Sequence, residues 1–188
     1  MAAVMRICEL KVTLRDIDPP IWRRIRVRSS VTLAELHDTL QRAMGWSDSH
    51  LHQFVANGRR FGRVDPEFPK VENENKVSIG ELLSEPGDRL EYEYDFGDCW
   101  RHEVVLEQVL GSERDAFYPR LTDGARACPP EDCGGAAGYE HLLTALAHPM
   151  HPEHRELTEW VGGAFDAEAF DLVERNRALQ SASRQTRR

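Results

Sequence analysis

The chain has 188 residues, of which 40% are hydrophobic and 30% are charged, and its formal net charge is −8. This length suits one domain with a sizeable core. No membrane span is expected, because no run of about eighteen apolar residues occurs. The first residues lack the apolar segment of a signal peptide, so we expect a cytoplasmic protein. Its four cysteines should then be thiols or ligands rather than disulfides.

Charge is distributed unevenly along the chain. Residues 1–63 carry a net charge of +5 and residues 175–188 also carry +5, whereas residues 64–174 carry −18. An acidic majority argues against nucleic-acid binding over the whole surface, but it permits a local basic face.

The N-terminal region predicts a β-hairpin followed by a helix. Apolar residues alternate in residues 6–14 and again in 21–27, and two adjacent prolines in the linker favour a turn. Thr32 and Glu35 then form a capping box. Apolar residues recur on one helical face until Gly45, which is placed to end the helix.

The next region predicts a second hairpin and a short helix. Residues 51–56 predict a strand that runs into Asn57-Gly58, a pair typical of a tight turn, after which Arg59, Arg60 and Phe61 are expected to return as a second strand. Residues 65–75 are polar and predict an exposed loop. A second capping box, Ser78 with Glu81, predicts one or two helical turns before a Pro-Gly pair.

The segment 90–109, LEYEYDFGDCWRHEVVLEQV, predicts the central β-hairpin of the chain. Apolar and charged residues alternate on both sides of the three-residue loop FGD, whose glycine is expected to supply unusual backbone angles. Matching of the two apolar faces predicts that Tyr94 lies opposite Trp100. The same register sets Tyr92 opposite His102.

The order of these elements predicts an α+β fold, with a ubiquitin-like β-grasp mixed sheet that the second strand of the central hairpin extends. We predict a single domain over residues 1–179, made of a sheet-rich part (1–110), an ordered loop (111–138) and a helical part (139–179). The helices are expected at residues 139–147, 153–161 and 167–179. Residues 180–188 predict a disordered basic tail.

Several motifs also carry a family resemblance. YEYDFGDCWRH, the later CPPEDCGGAAGYEHLL, the early IDPPIWRRI and the late GGAFDAEAFDL together resemble the plasmid pRiA4b ORF-3-like family. The resemblance implies a bacterial protein encoded on plasmids or insertion elements, and it implies no particular activity. Some family members carry a resolvase-type label, but Ser29-Ser30 after the first hairpin does not look like the nucleophile setting of a serine recombinase.

The first candidate site gathers carboxylates and an imidazole around the central turn. Asp95, Asp98 and His102 come from the hairpin, and Glu131 and Asp132 come from the CPPED loop. Such a group can hold a divalent cation or perform general acid–base chemistry. In the alternative interpretation Asp98 stabilises its turn, Asp95 is a solvated charge and His102 packs among aromatic residues.

The second candidate is a zinc site made of Cys128 and Cys133, with Cys99 and His102 completing four ligands. The alternative is a buried pair of thiols that holds the loop in place. The three histidines in residues 148–154 recur every third residue, but the intervening prolines break any common helical face, which disfavours a metal site there.

The third candidate is a nucleic-acid surface. Trp22, Arg24 and Arg26 alternate on one strand, where arginines can neutralise phosphates and tryptophan can stack on bases. Arg59 and Arg60 extend this surface if the second hairpin lies nearby. The alternative is a solvated outer face whose charges discourage edge aggregation.

Common catalytic motifs are missing from the sequence, including GxxxxGK[ST], GxSxG, HExxH and GxGxxG. The leading prediction is therefore a non-catalytic binding or regulatory module linked to mobile elements. Its basic hairpin would contact a nucleic acid or a protein. The rival prediction is a metal-dependent hydrolase or nuclease that uses the acidic and histidine residues of the DFGD turn with a divalent metal. The oligomeric state is left open.

Overall fold

The computed structural model describes residues 6–65, 70–114 and 116–185. The strands are β1 (Arg6–Leu14), β2 (Trp22–Arg28), β3 (His52–Ala56), β4 (Arg59–Gly62), β5 (Val71–Asn73), β6 (Arg89–Tyr94), β7 (Trp100–Gly111) and β8 (Arg120–Ala125). The helices are α1 (Leu33–Met44), α2 (Ile79–Leu82), α3 (Gly135–Ala147), α4 (His154–Trp160) and α5 (Leu172–Gln185), and Glu74–Lys76 forms a 3-10 turn. None of these helices combines the length and apolar character that a membrane span requires.

All eight strands belong to one sheet with the order β5-β4-β3-β6-β7-β1-β2-β8. Within the described residues β4 and β5 pair in parallel, and the other neighbours pair antiparallel. The predicted α+β class with a mixed sheet is therefore confirmed. Strand β7, which was predicted to extend the sheet, is an interior strand that lies between β6 and β1. The assignment to the β-grasp fold stays a prediction.

The central hairpin has the predicted register. Tyr94 lies opposite Trp100, and Tyr92 lies opposite His102. The turn itself was predicted wrongly, because it contains five residues, 95–99, and not the three of the FGD loop. Its positive φ angles fall on Asp95 (57°) and Cys99 (55°) and not on Gly97. Asp95 tolerates this conformation because its Oδ1 accepts the backbone N–H of Gly97 at 2.9 Å, which closes a local turn.

Three other local predictions from the N-terminal part of the chain also hold. Strands β1 and β2 form the first hairpin, and the Thr32 capping box begins α1, which ends at Gly45 with φ of 100°. The turn between β3 and β4 has φ of 51° at Asn57 and 73° at Gly58. Two successive positive φ angles are what a tight hairpin turn of this kind requires.

One face of the sheet is buried under α1 and the other is charged. Leu36 of α1 belongs to the same hydrophobic core as Tyr92 and Trp100 of the sheet. Side chains alternate between the two faces of a strand, so the residues of β2 between its buried positions lie on the opposite face. There Arg24 forms an ion pair with Glu107 of β7, and Arg26 forms one with Glu9 of β1.

The segment predicted as an ordered loop, residues 111–138, contains the edge strand β8, which pairs with β2. The sequence RLTDGA has little alternation and includes a glycine, so its strand character comes from its surroundings. Buried Arg23 of β2 donates hydrogen bonds to the carbonyls of Ala125 at 2.7 Å and Arg126 at 2.8 Å. The outer edge is covered by Asn176 of α5, whose amide exchanges hydrogen bonds with the backbone of Leu121 at 2.8 and 3.0 Å.

The three C-terminal helices form near their predicted positions, but their first and last residues differ from the prediction. Helix α3 starts at Gly135 and α4 spans His154–Trp160, close to the expected 139–147 and 153–161. Helix α5 begins at Leu172, because the carboxylate of Asp171 accepts the N–H groups of the first turn at 2.9 Å. It continues to Gln185, which is inside the segment 180–188 that was expected to be a disordered tail; the disorder of that tail stays a prediction. Residues 186–188 lie outside the described residues.

The predicted exposed loop at residues 65–75 is wrong in part. Its C-terminal part forms β5, and Glu74 in the following 3-10 turn is only 3% exposed. This carboxylate is buried because it pairs with His52 of β3, with 2.7 Å between Oε2 and Nε2. Residues 66–69 of the same prediction lie outside the described residues.

Candidate metal centre at the central turn

Three connecting segments meet where β6 turns into β7: residues 45–51 after α1, the turn 95–99 and the loop 129–135. Glu131 joins them, since its carboxylate accepts the Tyr94 hydroxyl at 2.5 Å and the Ser47 hydroxyl at 2.5 Å. The indole of Trp46 donates to the carbonyl of Pro129 at 3.0 Å. The CPPED loop therefore reaches the central turn as predicted, and Glu131 serves as its anchor.

His50 lies between two of the predicted carboxylates. Its Nδ1 is 3.7 Å from Oδ2 of Asp95, and its Nε2 is 3.2 Å from Oδ1 of Asp132. One ligand atom from each of the three residues lies within 4.8 Å of the others. The Nε2 atom of His50 is buried, and its 3.2 Å contact with Asp132 does not have the geometry of a hydrogen bond. Histidine and carboxylate ligands in this arrangement suit a divalent cation.

The two carboxylates differ in exposure. The side chain of Asp95 is 10% exposed, whereas that of Asp132 is 72% exposed. A cation held here would have one side embedded in the turn and the other side open to solvent. Asp132 also has a positive φ of 60°, a conformation that aspartate adopts more readily than most residues.

Asp98 has a different role from the one predicted for a site residue. Its Oδ2 accepts the backbone N–H of Gly134 at 3.1 Å, which ties the loop to the turn. The loop packs closely at the next residue, since a Cβ added at Gly135 would lie 2.6 Å from the Asp98 carbonyl oxygen. Asp98 thus stabilises the turn and the loop, as the alternative interpretation expected.

His102 does not join the carboxylates. Its ring is fully buried, at 5.3 Å from the ring of Tyr92 and 5.4 Å from the ring of Trp46. Burial lowers the pKa of the imidazole to about 4, because the charged form is poorly solvated there. The prediction that His102 belongs to an acid–base or metal site is therefore corrected, and its packing interpretation is confirmed.

The predicted cysteine site is not assembled. Cys99 is exposed, whereas Cys128 lies with its sulfur 3.4 Å from that of Met44. Burial raises the pKa of the Cys128 thiol and raises that of Cys133 to about 12. Among the described residues, no group of three potential ligands includes a cysteine. Cys128 and Cys133 are therefore partly buried thiols and Cys99 is an exposed one, and the structure does not bring them together as the predicted zinc site.

Two histidines that the sequence analysis missed, His37 of α1 and His52 of β3, stack on each other between the helix and the sheet. The rings of His37 and His52 stack at 3.4 Å with an angle of 7°. His37 contacts Asp48 and the hydroxyl of Tyr92 at 2.8 Å each. Together with Asp48 they bring three potential ligand atoms within 4.8 Å of one another. The lone pairs of stacked rings lie in two parallel planes, however, so the two imidazoles do not point at one ion. Their only signal in the sequence is that each falls on a buried face of its helix or strand.

The basic strand predicted to bind nucleic acid is engaged in ion pairs. Arg24 contacts Glu107 at 2.6 Å and Asp123 at 3.2 Å, and Arg26 contacts Glu9 at 2.6 Å. The ring of Trp22 is flanked by the cations of Lys11 at 5.3 Å and Arg24 at 5.2 Å. These partners neutralise much of the positive charge on which the prediction rests.

Arg59 and Arg60 do not extend this strand's surface. They lie on β4, which is five strand positions from β2 in the sheet, a separation of about 24 Å. Arg59 is itself paired with Glu72, at 2.6 Å. The two halves of the predicted patch are therefore separate. Binding of nucleic acid by either half stays a prediction.

His50 is the site residue that the sequence analysis missed. It belongs to the polar segment WSDSH between α1 and β3, which has no metal-site spacing. The density of polar residues between a capped helix and a strand was the available signal.

Comparison with known proteins supports one assignment. The family described as plasmid pRiA4b ORF-3-like protein matches residues 6–174. The uncharacterized protein y4hQ of Sinorhizobium fredii is 36% identical over 182 residues, covering 94% of this chain and 92% of that protein. The crystal structure of MM3350, a protein of unknown function from Methanosarcina mazei Go1, has 34% identity and a TM-score of 0.85, covering 92% of this chain and 97% of that one. The chain therefore belongs to the plasmid pRiA4b ORF-3-like family.

Proposed function

We propose that the protein binds a divalent cation at the central turn through His50, Asp95 and Asp132, and that it acts as a metal-dependent hydrolase. The observation that carries this proposal is the convergence of three ligand atoms, from three separate chain segments, within 4.8 Å of one another. The cation would coordinate the buried His50 Nε2, whose 3.2 Å contact with Asp132 does not form a hydrogen bond.

The ligand set suggests which ions fit. One imidazole nitrogen and two carboxylate oxygens suit Mn²⁺ or Zn²⁺. Three protein ligands would leave coordination positions for water, and the cation would supply a nucleophile by lowering the pKa of that water. The exposed side chain of Asp132 leaves this side of the site open to a substrate.

The test is Mn²⁺ binding by the chelator-treated full chain, measured by equilibrium dialysis and elemental analysis. Asp95→Asn and Asp132→Asn should each abolish stoichiometric Mn²⁺ binding, while Asp98→Asn, with the same charge change in the same turn, should retain it. Asparagine also tolerates the positive φ at Asp95 and Asp132. Equal Mn²⁺ binding by the wild type and Asp95→Asn would refute the site.

Hydrolysis is tested separately with bis(4-nitrophenyl) phosphate as a phosphodiester probe. Activity that is lost on chelation and in Asp95→Asn, but kept in Asp98→Asn, would support a nuclease-like hydrolase. Stoichiometric Mn²⁺ binding without turnover of this probe would refute the phosphodiesterase assignment and leave cation binding in place.

The second candidate function is a non-catalytic binding module. It is favoured by a shallow cavity of about 660 Å³ on the charged face of the sheet, lined in part by Arg24, Arg26 and Glu107. Since both signs of charge line the cavity, a protein surface with mixed charge fits better than nucleic acid. A pull-down that depends on Arg24 and Arg26 would favour this candidate. The mobile-element setting and the cytoplasmic location remain part of the same proposal.

A further inference from the structure

A second group of potential ligands lies outside the central turn, between the helical part's first two helices. His141 of α3 contacts Glu153, with 2.8 Å between Nε2 and Oε2. The ring of His151, in the connection between α3 and α4, lies 5.4 Å from the ring of His141 at an angle of 71°. One ligand atom from each of the three residues lies within 4.8 Å of the others.

The spacing of the two rings suits binding of one ion. Imidazole nitrogens bind Zn²⁺ at about 2.0–2.1 Å, so two histidines on a tetrahedral ion have ring centres about 5 Å apart. The observed separation is 5.4 Å. The stacked pair His37 and His52, at 3.4 Å and 7°, fails the same comparison. The salt bridge between His141 and Glu153 does not by itself account for the position of the His151 ring.

The neighbouring histidines have a separate structural role. His148 and His154 bond through Nδ1 to the carbonyls of Thr144 at 2.7 Å and Ala145 at 2.9 Å, which satisfies groups at the end of α3. His151 Nδ1 accepts the backbone N–H of Glu153 at 3.2 Å. An ion bound by His151 would replace this single exposed hydrogen bond, and water can take over the freed N–H.

We propose that His141, His151 and Glu153 form a zinc site that is separate from the cation site at the central turn. Two imidazoles and one carboxylate are a ligand set that zinc commonly takes, with a fourth position left for water or a ligand. The sequence did not predict this site, because its ligands come from a helix and from the following connection and have no regular spacing.

The structure also indicates what the fourth position would face. His141 lines a cavity of about 220 Å³ together with the apolar side chains of Leu142, Leu157 and Trp160, and Asp132 lies on its wall. The indole of Trp160 is 48% exposed. A ligand for this site therefore combines a zinc-binding group, such as a carboxylate, with a small apolar group that enters the cavity.

The test uses the full chain after chelator treatment, titrated with Zn²⁺ by calorimetry and with Co²⁺ by visible absorption. Loss of a residue that only hydrogen-bonds to a metal ligand typically weakens metal binding about 10- to 100-fold, so loss of a direct ligand should weaken it by at least about tenfold. His141→Gln and Glu153→Gln should show this loss for one Zn²⁺ per chain and should lose the Co²⁺ bands of that one ion. His148→Gln, in the same segment, should keep both. His141 and Glu153 are half exposed, at 51% each, so both variants should fold, as circular dichroism will verify.

Asp95→Asn separates the two sites. If the zinc site exists, Asp95→Asn keeps the ion that His141→Gln loses, whether or not the central turn binds a cation. Identical Zn²⁺ isotherms and Co²⁺ spectra for the wild type and His141→Gln would overturn the inference. Loss of all Zn²⁺ binding in Asp95→Asn alone would also overturn it, because the ion would then belong to the central turn.

Discussion

Acid is expected to destabilise the protein through His102. Its imidazole is fully buried and has a pKa lowered to about 4 by desolvation, against an ordinary value of about 6.5 in the unfolded chain. Below pH 6.5 the unfolded state therefore binds a proton that the folded state rejects. The contribution of His102 to stability is retained above about pH 6.5 and falls progressively as the pH approaches 4.

The size of this effect follows from the two pKa values. Between pH 7 and pH 4.5 the free energy of unfolding should fall by about 2 kcal/mol on account of His102, and the full difference below pH 4 is about 3 kcal/mol. His102→Leu removes the titrating group at nearly constant volume. At pH 7 this variant should lie within about 1 kcal/mol of the wild type, since the hydrogen bond that it loses, to the Tyr92 carbonyl, is long at 3.3 Å.

The assay is urea denaturation followed by circular dichroism at pH 7 and pH 4.5, for the wild type, His102→Leu and the control His148→Gln, whose histidine is exposed. The other titrating groups are common to all three proteins, so they cancel in the comparison. His102→Leu should lose about 2 kcal/mol less than the wild type on acidification, and His148→Gln should match the wild type. An equal loss in His102→Leu and the wild type would refute the assignment of His102 as a buried neutral group.

Three further outcomes follow from the packing. Gly135→Ala should destabilise the protein by about 1–3 kcal/mol in urea denaturation and should weaken Mn²⁺ binding. The reason is that this position has φ of 68° and that an added Cβ would lie 2.6 Å from the Asp98 carbonyl oxygen. Unchanged stability would contradict this expectation. Arg26→Met should cost about 2 kcal/mol, since it leaves the buried carboxylate of Glu9, 7% exposed, without its partner. Arg59→Met breaks an exposed pair and should unfold at the same urea concentration as the wild type. Asn176→Ala should cost about 1 kcal/mol in the same assay and increase aggregation measured by light scattering, because it uncovers the edge of β8; full stability without aggregation would show that α5 does not protect this edge.

Local patterns predicted much of the sheet correctly. The register of Tyr92 opposite His102 followed from parity alone, because a shift of one residue would have turned the aromatic face of the hairpin toward solvent. The capping box at Thr32 and the Asn57-Gly58 turn were also readable, since both are satisfied within a few residues of sequence. Each of these features depends on neighbours along the chain.

The candidate site was only half predictable. The DFGD turn and the CPPED loop were expected to meet, and Asp95 and Asp132 do approach a common partner. That partner is His50, which lies in the connection between α1 and β3. Its distance in sequence from either carboxylate matches no known metal-site spacing. His102 was assigned wrongly to the carboxylates, although its own register places it on the aromatic face.

The sequence by itself determined the hairpins, the caps, the first helix and the α+β class, because period-two and helical patterns and turn chemistry act over short distances. The tertiary structure alone decided that β7 lies inside the sheet, that RLTDGA becomes strand β8, and that Arg24 and Arg59 lie far apart. It also decided which histidines meet carboxylates. The physical reason is that strand order, ion pairing and side-chain convergence depend on contacts between residues distant in sequence, and those contacts leave no local periodicity.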